Sequence, residues 1–293
     1  IVMPSANAPH LMEHDGTWYL FYADRAHDAS DMPGYAGAYP TSWPISVATA
    51  PDVDGPYTFH SILLTSTEPW EAYRVDEPYV FQRDDGTWIM MYMGDEGSAV
   101  EQVSYAEAPD ILGPYTKFPG YPDDPGGPAI AFGPSGSFDA GTIADPWVVE
   151  FQGTYYIGYT VSPTTSSPWQ TAMATTTDWQ TFDKIGVIFP LGPAGEWDAV
   201  NSFRGAVTRF GDTYYFPYTG DSYQMGIATQ PVTQSLPLPI GPEAVFDFYD
   251  GFDDTALDTA KWSFANGDAS QASESGGLLT LTATGTYVKV YGQ

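Results

Sequence analysis

Two acidic residues and one arginine stand at matching places in a sequence pattern that occurs four times along this chain. Glu77 and Asp145 each come directly before a proline, Arg204 comes directly before Gly205, and Ala8 holds the same place in the remaining copy. Hydrolysis of a glycosidic bond requires such a pair of carboxyl groups, because one protonates the leaving oxygen and the other activates water or attacks carbon. A nearby arginine can keep one carboxylate ionised and bind a sugar hydroxyl. The alternative is that the two acids only cap strand ends or bind a structural cation.

Further polar and aromatic side chains adjoin these positions and complete the set of candidate site residues. Asp76 and Asn7 lie one residue earlier in their copies, and Asp76 is a third candidate for the acid–base chemistry. His10 and Trp147 directly follow the prolines. Sugars are bound by hydrogen-bonding groups and flat aromatic rings, so Arg204, Asn7, His10 and Trp147 are the candidates for substrate binding. For any single ring, packing in the core is the competing interpretation.

A predicted β-hairpin positions each of these groups. In the second copy, two runs of apolar and aromatic residues at strand spacing flank Asp85-Gly86. This pair predicts a tight turn, because glycine tolerates positive φ and aspartate tolerates it better than most residues. The distance from the proline, or from Gly205, to the threonine after the turn is 8, 9, 8 and 8 residues in the four copies. Such regular spacing indicates a structural repeat.

A second element follows each hairpin and extends the repeat. Its clearest copies are 47–57 and 104–115, where a predicted third strand leads to an aspartate and then to Gly-Pro-Tyr. The four copies begin 69, 68 and 59 residues apart, which leaves room for a fourth strand in each. Repeated four-stranded units joined by short turns favour an all-β fold of the β-propeller type.

An aromatic residue followed by an acid precedes three of the copies. The pairs are Trp70-Glu71, Phe138-Asp139 and Trp197-Asp198, and each acid lies seven residues before the proline or glycine that opens the next hairpin. We expect the ring to fill the gap between adjacent blades and the acid to accept backbone N–H groups of its loop.

Composition narrows the function classes. The 293 residues suffice for one large β domain and part of another. Nine basic against 37 acidic residues give a formal net charge of −28, which disfavours nucleic acids and anionic membranes as partners. The absence of cysteine removes disulfide and thiol chemistry, and no apolar run is long enough for membrane insertion. The four histidines show no spacing typical of metal ligands.

The repeat resembles the five-bladed β-propeller glycoside hydrolases of families 43 and 32. Asn7-Ala8-Pro9 is similar to the opening of their second blade, 75–81 to that of the third and 144–146 to that of the fourth. The resemblance covers residues 1 to about 230. It implies five blades and hydrolysis of arabinose-, xylose-, galactose- or fructose-type linkages, usually with inversion. It also implies that Asp145 replaces the family's general-acid glutamate and that the blade with the general-base aspartate would precede Ile1. In the other register that the resemblance allows, Asn7-Ala8-Pro9 opens the first blade and the base aspartate is absent.

The C-terminal part has a different composition. A proline-rich connector occupies 230–242, and the segment after it resembles the opening of concanavalin-like jelly-roll lectin domains attached to secreted carbohydrate enzymes. The sequence therefore predicts a propeller domain over 1–245 and a lectin-like or closing segment over 246–293.

Two functions compete. The first is a secreted glycoside hydrolase, extracellular or at the cell surface, that acts on plant or algal polysaccharide with Asp145 as the acid. The second is a non-catalytic carbohydrate-binding propeller in an extracellular surface assembly, which the missing family acids favour. A lyase would need a tyrosine or histidine base near an arginine, and a phosphorylase would need a basic phosphate pocket. The expected partner is a polysaccharide or oligosaccharide, and no cofactor is expected beyond a structural Ca²⁺ that the propeller channel could hold. The oligomeric state stays open.

Overall fold

In the part of the chain that the structure describes, four antiparallel sheets contain four strands each, and in each of these sheets the strands pair in chain order. The computed structural model describes residues 6–24, 42–97, 100–166, 168–189 and 191–231, and the backbone of five short strands after residue 247. Four-stranded meanders repeated along the chain are the blades of a propeller. The all-β, propeller-type prediction is thus confirmed for four blades.

The strand bounds follow the predicted repeat. Blade I contains β1 (Ala6–His14), β2 (Thr17–Asp24), β3 (Ile45–Ala50) and β4 (Thr58–Leu64). Blade II contains β5 (Arg74–Gln82), β6 (Trp88–Asp95), β7 (Glu101–Ala108) and β8 (Thr116–Lys117), and a small hairpin of β9 (Gly120–Tyr121) and β10 (Asp124–Pro125) follows it. Blade III contains β11 (Thr142–Phe151), β12 (Thr154–Ser162), β13 (Gln170–Thr176) and β14 (Asp183–Phe189). Blade IV contains β15 (Thr208–Phe210), β16 (Thr213–Thr219), β17 (Met225–Pro231) and β18 (Phe248–Asp250).

The C-terminal strands form two separate pairs. They are β19 (Trp262–Asn266) with β22 (Lys289–Gly292), and β20 (Ala272–Ser275) with β21 (Leu278–Leu281). Much of the predicted lectin-like segment lies outside the described residues, so its jelly-roll identity, the boundary near 245 and a fifth blade stay predictions. Within the described ranges, no helix has the length and apolar character needed to cross a membrane.

The hairpin turns form as their residues dictate. Gly86 adopts a φ of +88°, and the Asp85 carboxylate accepts the N–H of Thr87 at 2.9 Å. The strands leaving this turn carry apolar residues on both faces, and all eight residues of β6 are buried. This pattern arises because a blade in the middle of a propeller is covered by a neighbouring blade on each side. The core therefore consists of the layers between successive blades.

The aromatic–acid pairs fill those layers as expected. Trp70 is 8% exposed and packs so closely on Gly94 that a β-carbon there would lie 2.3 Å from the ring. The Glu71 carboxylate accepts the N–H groups of Thr67 and Glu68 at 2.9 and 3.2 Å. Lys117 forms an ion pair with the same buried carboxylate. The predicted roles of the ring and the acid are confirmed in this copy.

Candidate active site

A β-bulge marks the start of each of the first three blades. The strand register shifts between residues 7 and 10, 76 and 79, and 144 and 147, and the residue before each proline has positive φ. The values are +44° at Ala8, +57° at Glu77 and +50° at Asp145, and Arg204 shows +53° at the equivalent place before β15. Residues other than glycine rarely adopt this conformation, and a bulge directs its side chain away from the ladder. The four predicted positions are therefore structurally equivalent.

Three of these four residues meet at one cavity. The N–H of Asp145 donates to Oε2 of Glu77 at 2.6 Å, and Nε of Arg204 lies 3.2 Å from Oδ1 of Asp145. Thr160 fixes the arginine backbone by accepting its N–H at 3.1 Å. The cavity measures about 200 Å³. Its further lining residues are Glu101, Thr142, Ala144, Thr160, Thr165, Trp169 and Phe203.

A second arginine lies behind the cavity and binds three carboxylates. Arg74 contacts Asp76 at 2.8 Å, Asp95 at 3.2 Å and Glu101 at 2.8 Å. Asp76 is completely buried and also accepts the N–H of Glu77 at 2.8 Å. Its oxygens are thus committed to holding Arg74 and the Glu77 backbone. This arrangement gives Asp76 a positioning role rather than the acid–base role suggested from sequence.

Asn7 extends this network across the first two blades. Its amide nitrogen donates to both oxygens of Asp76, at 3.3 and 3.2 Å. Because the contact joins β1 to β5, Asn7 ties blade I to blade II. It is not among the residues that line the cavity, so its predicted contact with substrate has no support in this geometry.

The carboxyl groups at the cavity have different electrostatic environments. Burial raises the pKa of Glu77 well above its usual value, and the charges of Asp145, Asp76 and Glu101 raise it further. Burial also raises the pKa of Glu101 to about 7, although Arg74 opposes the shift. Asp145 instead forms an ion pair with Arg204. A carboxyl group whose pKa is raised, as that of Glu77 is, is suited to donate a proton. The raised pKa makes Glu77 an alternative to Asp145 as the proton donor, and the assignment of Asp145 from sequence stays a prediction.

The residues after the prolines link the blades and do not face the cavity. His10 Nε2 lies 3.0 Å from the carbonyl oxygen of Val80, and the hydroxyl of Tyr79 donates to the carbonyl of Val148 at 3.1 Å. Each bond joins one blade to the next at the same place in the repeat. The imidazole therefore carries its proton on Nε2 and serves as a structural donor, which corrects its predicted role in substrate binding.

Trp147 belongs to the core. It is 1% exposed, its ring lies 5.8 Å from that of Phe216, and a β-carbon on Gly158 would collide with it. A ring with no accessible face cannot stack on a sugar. The substrate-binding role predicted for Trp147 is therefore replaced by packing between blades III and IV.

The position of His10 predicts a pH effect on stability. Burial lowers its pKa to about 4, below the ordinary value of 6.5. Between these two values the unfolded chain binds more protons than the folded one, so stability should fall as pH drops from about 6.5 towards 4. We expect the difference in unfolding free energy between wild type and His10→Phe to shrink over this range, as followed by urea denaturation. The exposed His60, changed to phenylalanine, is the control, and a pH-independent difference for His10→Phe would contradict the prediction.

Three important residues escaped the sequence reasoning. Arg74 could have been found, because it lies two residues before Asp76 and thus on the same side of the strand. Glu101 starts a strand far along the chain, and Trp169 follows a loop rich in serine, threonine and proline. Neither position gives a local signal, since only packing between blades brings it to the cavity.

Two arginines pair with four of the carboxyl groups at and behind the cavity: Arg74 with Asp76, Asp95 and Glu101, and Arg204 with Asp145. Within the described ranges, no three histidine, aspartate or glutamate side chains are arranged to hold a metal ion. The structural Ca²⁺ suggested from sequence stays a prediction.

Comparison with known proteins gives a match in fold only. No protein-family model and no curated protein sequence matches the chain. A family 117 glycoside hydrolase from the marine bacterium Zobellia galactanivorans is 17% identical with a TM-score of 0.56, and the match covers 89% of this chain and 78% of that one. The β-1,2-mannobiose phosphorylase from Listeria innocua is 13% identical with a TM-score of 0.56, over 78% of this chain and 73% of that one.

A third similar structure is a variant of the exo-β-1,3-galactanase from Phanerochaete chrysosporium with β-1,3-galactotriose. It is 13% identical with a TM-score of 0.51, and the match covers 77% of this chain. The chain spans about half of that enzyme's length, 47%. At such identities the likeness establishes the fold: this chain has the blade architecture found in propeller glycoside hydrolases and in a related phosphorylase.

Proposed function

We propose that this protein is a glycoside hydrolase that cleaves plant or algal polysaccharide, with Glu77 as the general acid and Asp145 as the ionised carboxylate. The observation that carries the proposal is the cavity in which a carboxyl group of raised pKa adjoins a carboxylate paired with Arg204. Hydrolysis of a glycosidic bond needs both forms at once. The arabinose-, xylose-, galactose- or fructose-type linkages implied by the family resemblance define the first substrates to test.

The contacts suggest how the two groups would work. The N–H of Asp145 occupies Oε2 of Glu77, which leaves Oε1 to carry the proton that passes to the leaving oxygen. Asp145 would accept a proton from the attacking water, and Arg204 would orient its carboxylate through their ion pair. Inversion requires the two carboxyl groups to lie about 6.5–9.5 Å apart when substrate is bound, and retention about 5–5.5 Å. NMR of the first anomer released distinguishes these outcomes.

A pH profile tests the role of Glu77. A general acid must be protonated, so kcat/KM should fall as pH rises past the raised pKa of Glu77. In Glu101→Gln this alkaline fall should move to lower pH, because the charge of Glu101 is one of the causes that raise the pKa of Glu77. The residual activity of Glu77→Gln should lack the fall altogether. If the alkaline fall in kcat/KM persists in Glu77→Gln, it reports the deprotonation of another group.

A non-catalytic carbohydrate-binding propeller is the second candidate. The direct contact between Glu77 and the backbone of Asp145 favours it, because an inverting enzyme needs room for water between its carboxyl groups. Assays on a panel of polysaccharides with these linkages distinguish a hydrolase from a binding module. Binding without release of reducing sugar supports the binding module. Running the panel with and without inorganic phosphate also detects phosphorolysis, the activity named for one of the similar structures.

The remaining expectations concern the protein's surroundings and completeness. We propose secretion to the cell surface or medium, because a polysaccharide substrate is too large to enter a cell, and fractionation of the source cells tests this. A fifth blade and a lectin-like domain over 246–293 are part of the same proposal. A structure with bound oligosaccharide tests both.

A further inference from the structure

A strained turn lies beside the cavity, at the end of β16. In the segment 220–224, Ser222 has a φ of +56° and Tyr223 a φ of +60°. Two successive residues in the left-handed region are uncommon, and a bulky aromatic residue there is an outlier. Such strain persists only where the surroundings impose it, and it is concentrated at functional sites.

Hydrogen bonds hold this turn from both sides. The carboxylate of Asp221 accepts the N–H of Val200 at 3.1 Å and the side-chain amide of Asn201 at 3.0 Å. The N–H of Asp221 donates to the carbonyl of Trp197, and that of Gly220 to the carbonyl of Gln224, both at 2.8 Å. The backbone conformation of Tyr223 is therefore fixed by its neighbours in sequence and by the loop before blade IV.

Asn201 connects this turn to the cavity wall. While its amide nitrogen donates to Asp221, its Oδ1 accepts the N–H of Trp169 at 3.1 Å. One side chain thus sets the positions of two segments that carry aromatic rings, the one before β13 and the one after β16. The two loops are therefore connected through hydrogen bonds to one shared side chain and are not merely adjacent.

The aromatic rings form a row that runs from the cavity to solvent. Trp169 and Phe203 line the cavity, with ring centroids 5.1 Å apart. The ring of Tyr223 lies 6.4 Å from that of Phe203, does not line the cavity and is 66% exposed. The guanidinium of Arg204 lies 5.4 Å from the ring of Phe203 and 5.9 Å from that of Tyr223. Tyr223 therefore stands just outside the site, next to an arginine that reaches into it.

The size and charge of the site indicate its ligand. A cavity of about 200 Å³ is smaller than the roughly 300–1,000 Å³ of pockets for drug-sized ligands, so it suits one sugar unit of a chain. Arg204 is surrounded by the carboxyl groups of Asp145, Glu77 and Glu101, which offset its charge. An anionic sugar would be repelled by these acids and by the net charge of −28, whereas a neutral sugar would not be repelled.

We propose that Tyr223 is an outer aromatic subsite that binds the neutral sugar unit next to the one in the cavity. This inference rests on the proposed sugar-binding cavity, but it does not require that Glu77 or Asp145 be catalytic. Sugar faces stack on aromatic rings, and a ring held in advance in its binding position loses little entropy when ligand arrives. Tyr223 would thus make affinity depend on chain length.

Calorimetric titration of the Glu77→Gln protein tests the subsite without turnover. The probes are arabino-, xylo- and β-1,3-galacto-oligosaccharides of one to four units. Adding Tyr223→Ala should weaken binding of chains of two or more units by about two- to tenfold and leave the affinity for the single sugar unchanged. Tyr223→Phe should restore the affinity, because it keeps the ring. Phe210→Ala is the matched control, since Phe210 is 77% exposed at the end of β15 in the same blade.

Each other outcome has a definite meaning. Equal losses for one unit and for longer chains, an unchanged affinity in Tyr223→Ala, or no binding by any of the three series overturns the subsite. Tighter binding of sulfated or uronate oligosaccharides than of neutral ones overturns the assignment to neutral sugars. If Glu77→Gln keeps full hydrolytic activity while the dependence on chain length disappears in Tyr223→Ala, the catalytic assignment fails and the subsite stands.

Discussion

Replacing Glu77 with glutamine should lower kcat on natural oligosaccharides about 10²–10⁴-fold, the usual effect of losing a general acid. Glutamine keeps the size of the side chain and can still accept the N–H of Asp145, so the fold should be retained. Aryl glycosides with good leaving groups should lose much less activity, because their leaving oxygen departs without protonation. Steady-state kinetics on a series of aryl glycosides of decreasing leaving-group pKa measures this difference.

Asp145→Asn provides the contrast that assigns the two roles. If Asp145 activates water, its loss should slow all substrates to a similar degree, whatever their leaving group. Glu107→Gln is the matched control for Glu77→Gln, because Glu107 is exposed on β7 of blade II, the blade that carries Glu77, and its loss should leave kcat unchanged. Should Asp145→Asn show the leaving-group dependence and Glu77→Gln lack it, the acid is Asp145, as the sequence suggested. Full activity in both variants would remove the hydrolase proposal.

The second large effect concerns stability: Arg74→Met should lower the unfolding free energy by about 3–5 kcal/mol, the usual result of removing one partner of a buried ion pair. Arg74 is 14% exposed and is bonded to Asp76 and Asp95, which have almost no exposed surface. Methionine fills much of the same space but leaves those carboxylates without their counter-charge. Urea denaturation at neutral pH measures the loss.

Arg209→Met controls for the substitution itself. Arg209 is half exposed, and its partner Asp212 is almost fully exposed, so a surface pair of this kind should contribute little to the unfolding free energy.

The loss of unfolding free energy in Arg74→Met should shrink as pH falls. Arg74 opposes the rise in the pKa of Glu101, so without it Glu101 should take up its proton at a higher pH than in the folded wild type. As pH falls through this range, the variant therefore gains stability relative to the wild type. An equal loss of stability in the two variants would show that Arg74 is not the centre of the network.

Both predictions depend on the way the blades present their first residues. Glu77 and Asp145 have positive φ at bulges and Arg204 has positive φ just before β15, and the three side chains line one cavity from three blades. The Arg74 network lies directly behind Glu77 and fixes its backbone through Asp76. The raised pKa of Glu77 and the dependence of folding stability on Arg74 thus have the same physical origin: the carboxyl groups enclosed here outnumber the arginines that pair with them.

Patterns in the amino-acid sequence were enough to predict the repeat, the hairpin turns, the all-β class and the four equivalent positions Ala8, Glu77, Asp145 and Arg204. These features depend on local patterns. Strand alternation, the turn residues and the spacing from the proline to the threonine can all be recognised within a segment of about twenty residues. The sequence also identified the aromatic–acid pairs that fill the layers between blades.

The tertiary structure decided which of these side chains reach the cavity and in which protonation state. His10 and Trp147 lie only two residues after the positions equivalent to Glu77, yet one bonds to Val80 and the other lies in the core, because their side chains are directed towards the next blade. Glu101 and Trp169 join the site only through packing between blades. The pKa of Glu77 depends on burial and on charges contributed by residues up to 68 positions away in the chain, which no local pattern encodes.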